Sequence, residues 1–263
     1  MKTILAIILG ITSLFGFCSK KSVNPVTGKE QYVSLTPQQE ISLGLKSVDQ
    51  MGKMYGGIEK NSESDIKIDQ VGEKIIKNSI ANKSPYKFEF NVLKDNKTIN
   101  AFALPGGQVF ITQALLKKLK TDAQIAGVLG HEIAHVIERH SAQQMAKASL
   151  TSGVVQAISI GTFDANKSQY AGDLARIVAG LTTMKYGRKD ETESDMLGLS
   201  LMSEAGYNPN SMKEVMRILE EESKKGINLE FFSTHPNPTH RITDIDNQIK
   251  KIYPNGVPSN LEK

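Results

Sequence analysis

The stretch from Ile125 to Ile137, IAGVLGHEIAHVI, is the part of the chain that most constrains its fold. Its only ionisable side chains are His131, Glu132 and His135, and the remaining residues are apolar or small. An ionisable group is costly to bury unless it is paired or bound to a metal. The stretch therefore predicts a buried helix on which these three side chains need a common partner.

The pentapeptide HEIAH matches the HExxH zinc motif. Residues i and i+4 lie on one helical face, so His131 and His135 can point at one metal ion. Zinc polarises a carbonyl and lowers the pKa of a bound water to about 7. Glu132, one step around the helix, can reach that water and is the predicted general base, which passes the proton to the leaving amine. Two core histidines with ordinary hydrogen bonds are the alternative interpretation.

A catalytic zinc ion needs a third protein ligand and an open position. The metzincin pattern would place a histidine ten residues after His131 and a glycine seven residues after it. Those positions hold Ser141 and Glu138, so that pattern is excluded. His140 misses the position by one residue, and we assign it to the end of the helix.

The segment KDETESDMLG offers the missing ligand, because Glu191 and Asp195 stand at i and i+4 on one helical face. We predict that Glu191 completes a His₂Glu site and that Asp195 accepts the free ring N–H of a ligand histidine. A solvated acidic face is the alternative interpretation. Glu193 is the rival carboxylate, but it projects from a different face.

His235 lies in STHPNPTHRI, a proline-rich loop before the last predicted helix. It can donate a hydrogen bond to the oxyanion of a tetrahedral intermediate. It can instead bind the metal as a fourth ligand and hold the enzyme inactive. A histidine at the helix entrance with no catalytic role is the third interpretation. We assign His240 to the surface.

Residues 1–18 have one lysine and an almost unbroken apolar run from Ile4 to Phe17. A membrane span needs about 20 residues, so the run fits the core of an export signal better. It ends at Cys18, the only cysteine, and we predict a bacterial lipoprotein processing site there, although Phe17 departs from the small residue usual at that position. An ordinary signal peptide or an uncleaved anchor is the alternative. The protein is expected to be exported to the periplasm and lipid-anchored to the inner or outer membrane.

The rest of the chain predicts an α+β fold that is mostly α, with a small β-sheet before the central helix. Residues 19–35 are expected to be a tether leading into the first helix, 36–253 one domain, and 254–263 a tail. Short strands are predicted near 88–92, 100–107 and 108–112, and the central helix from Thr121 to about Ala148. Residues 149–180, rich in Ser, Gly and Ala, suggest a helical hairpin or a flap over a cleft.

Several motifs together carry a family resemblance. HEIAH, the ETESD element, the His235–Pro236 pair followed by Arg241, and NAFALPGG upstream resemble the HtpX/Oma-type zinc metallopeptidases, which include the CAAX prenyl endopeptidases. The segment NPVTGKEQYVSLTPQQEISLG is similar to the secreted or lipid-anchored bacterial branch of that family. The similarity spans roughly residues 24–252.

This resemblance implies a gluzincin-like fold with one Zn²⁺ held by His131, His135 and Glu191, and with Glu132 as the base. It also implies that the NAFALPGG strand edges the cleft, where an extended substrate can pair with it, and that His235 lies near the metal in either role named above. We expect neither the transmembrane helix pair nor the helical repeats that occur in other branches.

The predicted activity is zinc-dependent cleavage of misfolded or unassembled envelope proteins. A non-catalytic assembly factor or chaperone that retains the zinc site is the competing interpretation, and a zinc hydrolase of non-peptide amides is a third. The expected partners are unfolded protein substrates and a membrane, through Cys18. The net charge is only +4 and no cluster of Lys and Arg is interleaved with aromatic residues, so no nucleic acid is expected.

Overall fold

The structure is a computed structural model that describes residues 21–152, 180–181, 184–225, 229–236 and 240–263, without the side chains of 149–152. The predicted signal peptide lies outside the described residues. So does the predicted hairpin or flap at 149–180, apart from its two ends.

Helices make up most of the described chain, and threonine caps begin three of them. Thr36 and Gln39 form a capping box at the first helix, Thr112 accepts a hydrogen bond from the Leu115 N–H, and Thr121 accepts one from the Gln124 N–H at the start of the central helix. In chain order the helices are α1 (Pro37–Met54), α2 (Glu63–Asn78), α3 (Gln113–Leu116), α4 (Asp122–Ile137), α5 (His140–Ser152), α6 (Arg188–Glu204), α7 (Asn210–Lys224), α8 (Phe231–Thr234) and α9 (Arg241–Ile252), with a 3₁₀ turn at Ile80–Lys83.

Two small sheets accompany these helices. Their strands are β1 (Lys21–Val23), β2 (Glu30–Tyr32), β3 (Ile58–Glu59), β4 (Glu89–Leu93), β5 (Ala101–Ala103) and β6 (Gln108–Thr112). β1 and β2 form an antiparallel hairpin, and the other four form a sheet in the order β3-β4-β6-β5. β4 and β6 are parallel, whereas the other neighbours are antiparallel. The expected α+β fold, mostly α with a small sheet before the central helix, is confirmed.

Helix α4 lies at the centre of the domain, and every residue from Ala123 to Ile137 is buried. It packs against α6, α7, α2 and strand β5. A helix covered on all sides is apolar around its whole circumference, which explains the apolar flanks of HEIAH. The three ionisable side chains of HEIAH therefore have protein atoms, not solvent, as neighbours.

The central helix is shorter than the sequence predicted. It ends at Ile137, and a new helix begins at His140, so the expectation of one helix to about Ala148 is wrong. The break is at Arg139, whose φ is +58°. Its guanidinium donates to the buried Glu40 carboxylate and to the Leu35 carbonyl, and a continuous helix would carry the side chain away from both.

The segment predicted to be a tether contains the hairpin β1–β2, which is docked on the end of α4. Asn24 donates from Nδ2 to the Ile137 carbonyl at 2.7 Å, and Gln31 donates from Nε2 to the Glu138 carbonyl at 2.6 Å. The last carbonyls of a helix have no partners within the helix. The hairpin supplies two of those partners, so at least residues 21–32 belong to the folded domain.

Three details concern exposure and helix ends. Leu45 of α1 is 50% exposed. β4 is buried on both faces from Phe90 to Leu93, because it lies inside the sheet between two clusters of core residues. The last helix, α9, begins at Arg241. Among the described residues, no helix has both the length and the apolar character needed to cross a bilayer.

Candidate active site

Helix α4 presents the two histidines of HEIAH to one point. The Nε2 atoms of His131 and His135 are 3.0 Å apart, and both side chains are buried. Glu132 is also fully buried, and neither of its carboxylate oxygens has a hydrogen-bond partner among the described residues. Burial raises the pKa of Glu132, while His235 and His131 oppose that rise.

Helix α6 brings Glu191 to the same point. One carboxylate oxygen of Glu191 is 3.6 Å from His131 Nε2, and the other is 3.5 Å from His135 Nε2. Burial alone would raise the pKa of Glu191, but His235 and His135 more than offset this, and the pKa lies well below its usual value. Glu193, the rival carboxylate, points away from this cluster toward Lys29.

His235 follows the short helix α8 and is the fourth member of the cluster. Its Nδ1 is 3.1 Å from Glu191 Oε1 and 3.3 Å from His131 Nε2, and its ring stacks on Phe231. One atom from each of the four cluster residues lies within 4.8 Å of the others; these residues are His131, His135, Glu191 and His235. His235 is therefore part of the site, and its second nitrogen, Nε2, lies 3.7 Å from Glu132 Oε1.

Asp195 and Arg241 lie behind His131. The Asp195 carboxylate accepts from His131 Nδ1 at 2.9 Å, which is the contact that the sequence predicted. Arg241 donates to both oxygens of Asp195, at 2.7 and 2.6 Å. Burial raises the pKa of Asp195, but Arg241 outweighs it, so the pKa is lowered and the carboxylate stays ionised.

The donor atoms fit a metal ion. Because His131 Nδ1 faces a carboxylate, that nitrogen carries the proton and Nε2 presents a lone pair. This lone pair faces His135 Nε2 and Glu191, with separations of 3.0 to 3.6 Å. Bonds of about 2.0–2.2 Å to one zinc ion would put tetrahedral neighbours about 3.3 Å apart. The spacing of these atoms therefore fits the ligand set of one metal ion.

A small cleft adjoins the cluster on the side of the edge strand β5. Its volume is about 20 Å³, and its lining includes His235, Phe102, Leu104, Met184 and Tyr186. β5 is an end strand of the four-stranded sheet, as the resemblance implied for the NAFALPGG segment. An extended peptide added at this edge would run beside the four-residue cluster.

Sequence reasoning missed the contacts of three buried residues at the site. Arg241 entered only as part of a family motif, yet it is the cation between Asp195 and Glu191. Tyr186 was not considered; its ring lies 4.1 Å from the His135 ring. His140 was assigned to the end of a helix, but it contacts His135. A cation in the first turn of a helix opposes the helix dipole, so Arg241 carried a detectable signal of carboxylate partners.

Comparison with known proteins gives the family. The sequence model of peptidase family M48 matches residues 62–249 of this chain. The chain belongs to peptidase family M48. Mitochondrial metalloendopeptidase OMA1 of Schizosaccharomyces pombe is 30% identical over 226 residues, which cover 84% of this chain. The OMA1 of Saccharomyces cerevisiae is 30% identical over 271 residues, covering 94% of this chain and 74% of the relative.

A bacterial relative is also similar. The beta-barrel assembly-enhancing protease of Yersinia pestis is 28% identical over 255 residues, which cover 94% of this chain. The chain spans 64% of the length of the fission yeast M48 relative and 51% of that of the Yersinia relative. M48 peptidases are metal-dependent, and this chain has a His/Glu cluster able to bind a metal. The family resemblance seen in the sequence is thus confirmed.

Proposed function

We propose that this M48 protein is a zinc-dependent endopeptidase. The observation that carries the proposal is the meeting of His131, His135 and Glu191, with lone pairs directed at one another, beside the unpartnered carboxylate of Glu132. Two imidazoles and one carboxylate are the ligand set of catalytic zinc in thermolysin-like peptidases. A bound zinc ion would supply Lewis-acid chemistry, polarising the scissile carbonyl and making water more acidic.

The protein's own residues supply the proton transfers. Both oxygens of Glu132 are free to accept a proton, because neither has a partner among the described residues. Glu132 takes a proton from the attacking water at one oxygen and delivers it to the nitrogen of the leaving amine. The buried environment raises the pKa of Glu132 and so makes it a better base than an exposed carboxylate.

Two features support both roles considered for His235. Its Nε2 has no partner among the described residues and can donate to an oxyanion. Its Nδ1 lies among the atoms of the proposed ligands, which suits a fourth ligand that keeps the resting site closed. The two roles predict opposite effects of removing the ring.

The proposed substrates are misfolded or unassembled proteins of a bacterial cell envelope. Support comes from the predicted export signal and from the Yersinia relative, whose name refers to β-barrel assembly. An extended segment of such a protein can pair with the edge of β5, which needs an unfolded stretch of chain. We further propose that the protein is exported and held at the membrane by a lipid on Cys18.

The substitution Glu132→Gln tests the hydrolytic function. Because the amide cannot accept the proton but leaves the proposed ligands untouched, cleavage of casein should fall by about 10²–10⁴-fold. Zinc content, measured by plasma emission on the purified protein in detergent, should equal that of wild type. The matched control is Glu73→Gln, at an exposed position of α2, which should cleave at the wild-type rate.

The competing function, a chaperone that keeps the zinc site, makes the opposite prediction. Cells whose only copy of the gene encodes the Glu132→Gln variant should lose envelope quality control if proteolysis is the function. Full complementation by that variant would refute the proposed function. A chelator that fails to stop casein cleavage by the wild-type protein would refute its dependence on zinc.

A further inference from the structure

His140 is a buried histidine that the proposed chemistry leaves without a role. It is the first residue of α5, and its exposed fraction is 0%. Its Nδ1 lies 3.0 Å from Nδ1 of His135, the ring nitrogen that faces away from the cluster. The Ser194 hydroxyl lies 3.2 Å from the same His140 nitrogen. On the other side of the ring, Nε2 lies 3.4 Å from Glu193 Oε2.

These contacts fix where the protons are. The Glu193 carboxylate can only accept, so His140 Nε2 carries a proton and donates it. In the neutral ring, Nδ1 of His140 is then an acceptor, and His135 Nδ1 must carry the proton that lies between the two rings. His135 Nε2 is left with its lone pair, directed at His131 and Glu191. The chain of partners thus selects the tautomer of His135 that can bind a metal.

The break in the central helix makes this contact possible. Successive residues of an α-helix are rotated by about 100°, so a residue five positions after His135 would point about 140° away from it. The left-handed conformation of Arg139, φ +58°, turns the chain and brings His140 under the His135 ring. A positive φ is uncommon outside glycine and often marks a functional site.

The two proposed ligand histidines then have different partners. His131 is oriented by Asp195, with Arg241 behind it. His135 has no carboxylate at its outer nitrogen among the described residues and has His140 there instead. We infer that His140 is a positioning residue for the metal site, which fixes the tautomer and ring orientation of His135. This inference rests on the proposed zinc site.

Zinc affinity tests this role directly. It is measured on the full chain in detergent, by competition with a chromophoric chelator. Removing the outer partner of a ligand histidine costs about 10- to 100-fold in metal affinity. His140→Leu should weaken zinc binding by that factor. His140→Asn should bind close to wild type, because its side-chain oxygen can accept at the position of Nδ1. The control His240→Leu changes an exposed histidine of α9's N-terminus and should have no effect.

A purely structural role would give a different pattern. Equal weakening in His140→Leu and His140→Asn, accompanied by the same fall in the unfolding temperature of the metal-free protein, would overturn the inference. Wild-type affinity in His140→Leu would also overturn it, while the zinc site itself would stand if Glu191→Ala still lost the metal. Absence of zinc binding by the wild-type protein would overturn both proposals.

Glu193 provides a second test if His140→Leu does not fold. Its side chain is only 23% exposed, yet it lies at the border of the domain beside Lys29, where truncation is tolerated more easily than in the core. Glu193→Ala removes the acceptor of the His140 Nε2 proton. Zinc binding should weaken in the same direction as for His140→Leu, and an unchanged affinity would overturn the inference.

Discussion

At the scale of single residues, the site buries more carboxyl groups than guanidinium groups. Glu132, Glu191 and Asp195 are three carboxyl groups, and Arg241, which contacts Glu191 and Asp195, is the one guanidinium in contact with any of them among the described residues. With all three ionised and the histidines neutral, the group carries a net charge of −2. A buried charge without a partner is strongly destabilising. A divalent cation would neutralise the group, so metal binding and folding should be coupled.

Two substitutions separate a required ligand from an optional one. Glu191→Ala should lose zinc, because it leaves only two imidazoles in the proposed three-ligand set, whereas His235→Ala should keep zinc because that set remains complete. Zinc content of the purified variants gives the answer. Retention of zinc by Glu191→Ala would place the third ligand elsewhere, and His235, the remaining member of the cluster, would be examined first.

The rate of casein cleavage by His235→Ala then identifies the role of the His235 ring. An increase in casein cleavage would identify a fourth ligand that closes the resting site, and a decrease would identify a donor to the oxyanion. A wild-type rate would contradict both roles and make His235 a structural residue.

The relative positions of residues that follow from local spacing were predictable, and contacts that depend on tertiary packing were not. His131 and His135 lie on one face of α4, and Glu191 and Asp195 lie on one face of α6. The i and i+4 spacing of each pair was sufficient to predict this. The contact of His140 with His135 depends on a turn that no local pattern announces. That turn is stabilised by Glu40, which is 99 positions from Arg139.

At the scale of elements, the site depends on how closely α4 and α6 approach. The two helices cross at Gly130 and Gly198. A Cβ built on Gly198 would lie 3.0 Å from the backbone of Gly130 and of His131. Small residues at a crossing allow two helix backbones to come this close. Glu191 on α6 can reach the histidines of α4 only because this distance is short.

Gly198→Ala should therefore weaken zinc binding without touching a ligand. Alanine stabilises a helix by about 1 kcal/mol relative to glycine. Its methyl group at position 198 would crowd backbone atoms, however, and these cannot avoid it by a change of rotamer as a side chain could. Zinc affinity and the unfolding temperature should both fall. Gly127→Ala is the matched control, because the nearest atom to its Cβ is Met212 Cα at 3.4 Å, an ordinary contact. Equal behaviour of the two variants would contradict the role of the crossing.

Most elements were predictable because their signals are local. The capping box at Thr36 and the Pro-Gly-Gly turn between β5 and β6 each depend on a few consecutive residues. The hairpin β1–β2 was missed because its strands have only three residues each and its stability comes from docking. Asn24 and Gln31, which dock it, are polar residues that usually indicate an exposed loop.

At the scale of the whole molecule, the docked hairpin limits the distance between the proposed lipid anchor and the active site. Lys21, the first described residue, is three positions after Cys18. Three extended residues span at most about 11 Å. The hairpin itself contacts the end of α4, the helix that carries HEIAH. A lipid on Cys18 would therefore hold the peptidase domain close to the bilayer surface.

The substitution Cys18→Ser tests the anchor on which this geometry depends. Lipidation occurs at the cysteine sulfur and amine after processing, and serine offers no thiol, so cells fed a labelled fatty acid should label the wild-type protein but not Cys18→Ser. Two chains of lipid hold a protein on a membrane stably, so the wild-type protein should stay in the membrane fraction after a high-salt wash, and the variant should be released.

The control is Ser19→Ala, which keeps the cysteine and should behave as wild type. Equal labelling of Cys18→Ser, or membrane retention unchanged by the substitution, would refute the lipid anchor. The proposed zinc site would be unaffected by that result, because its proposed ligands all lie after residue 130.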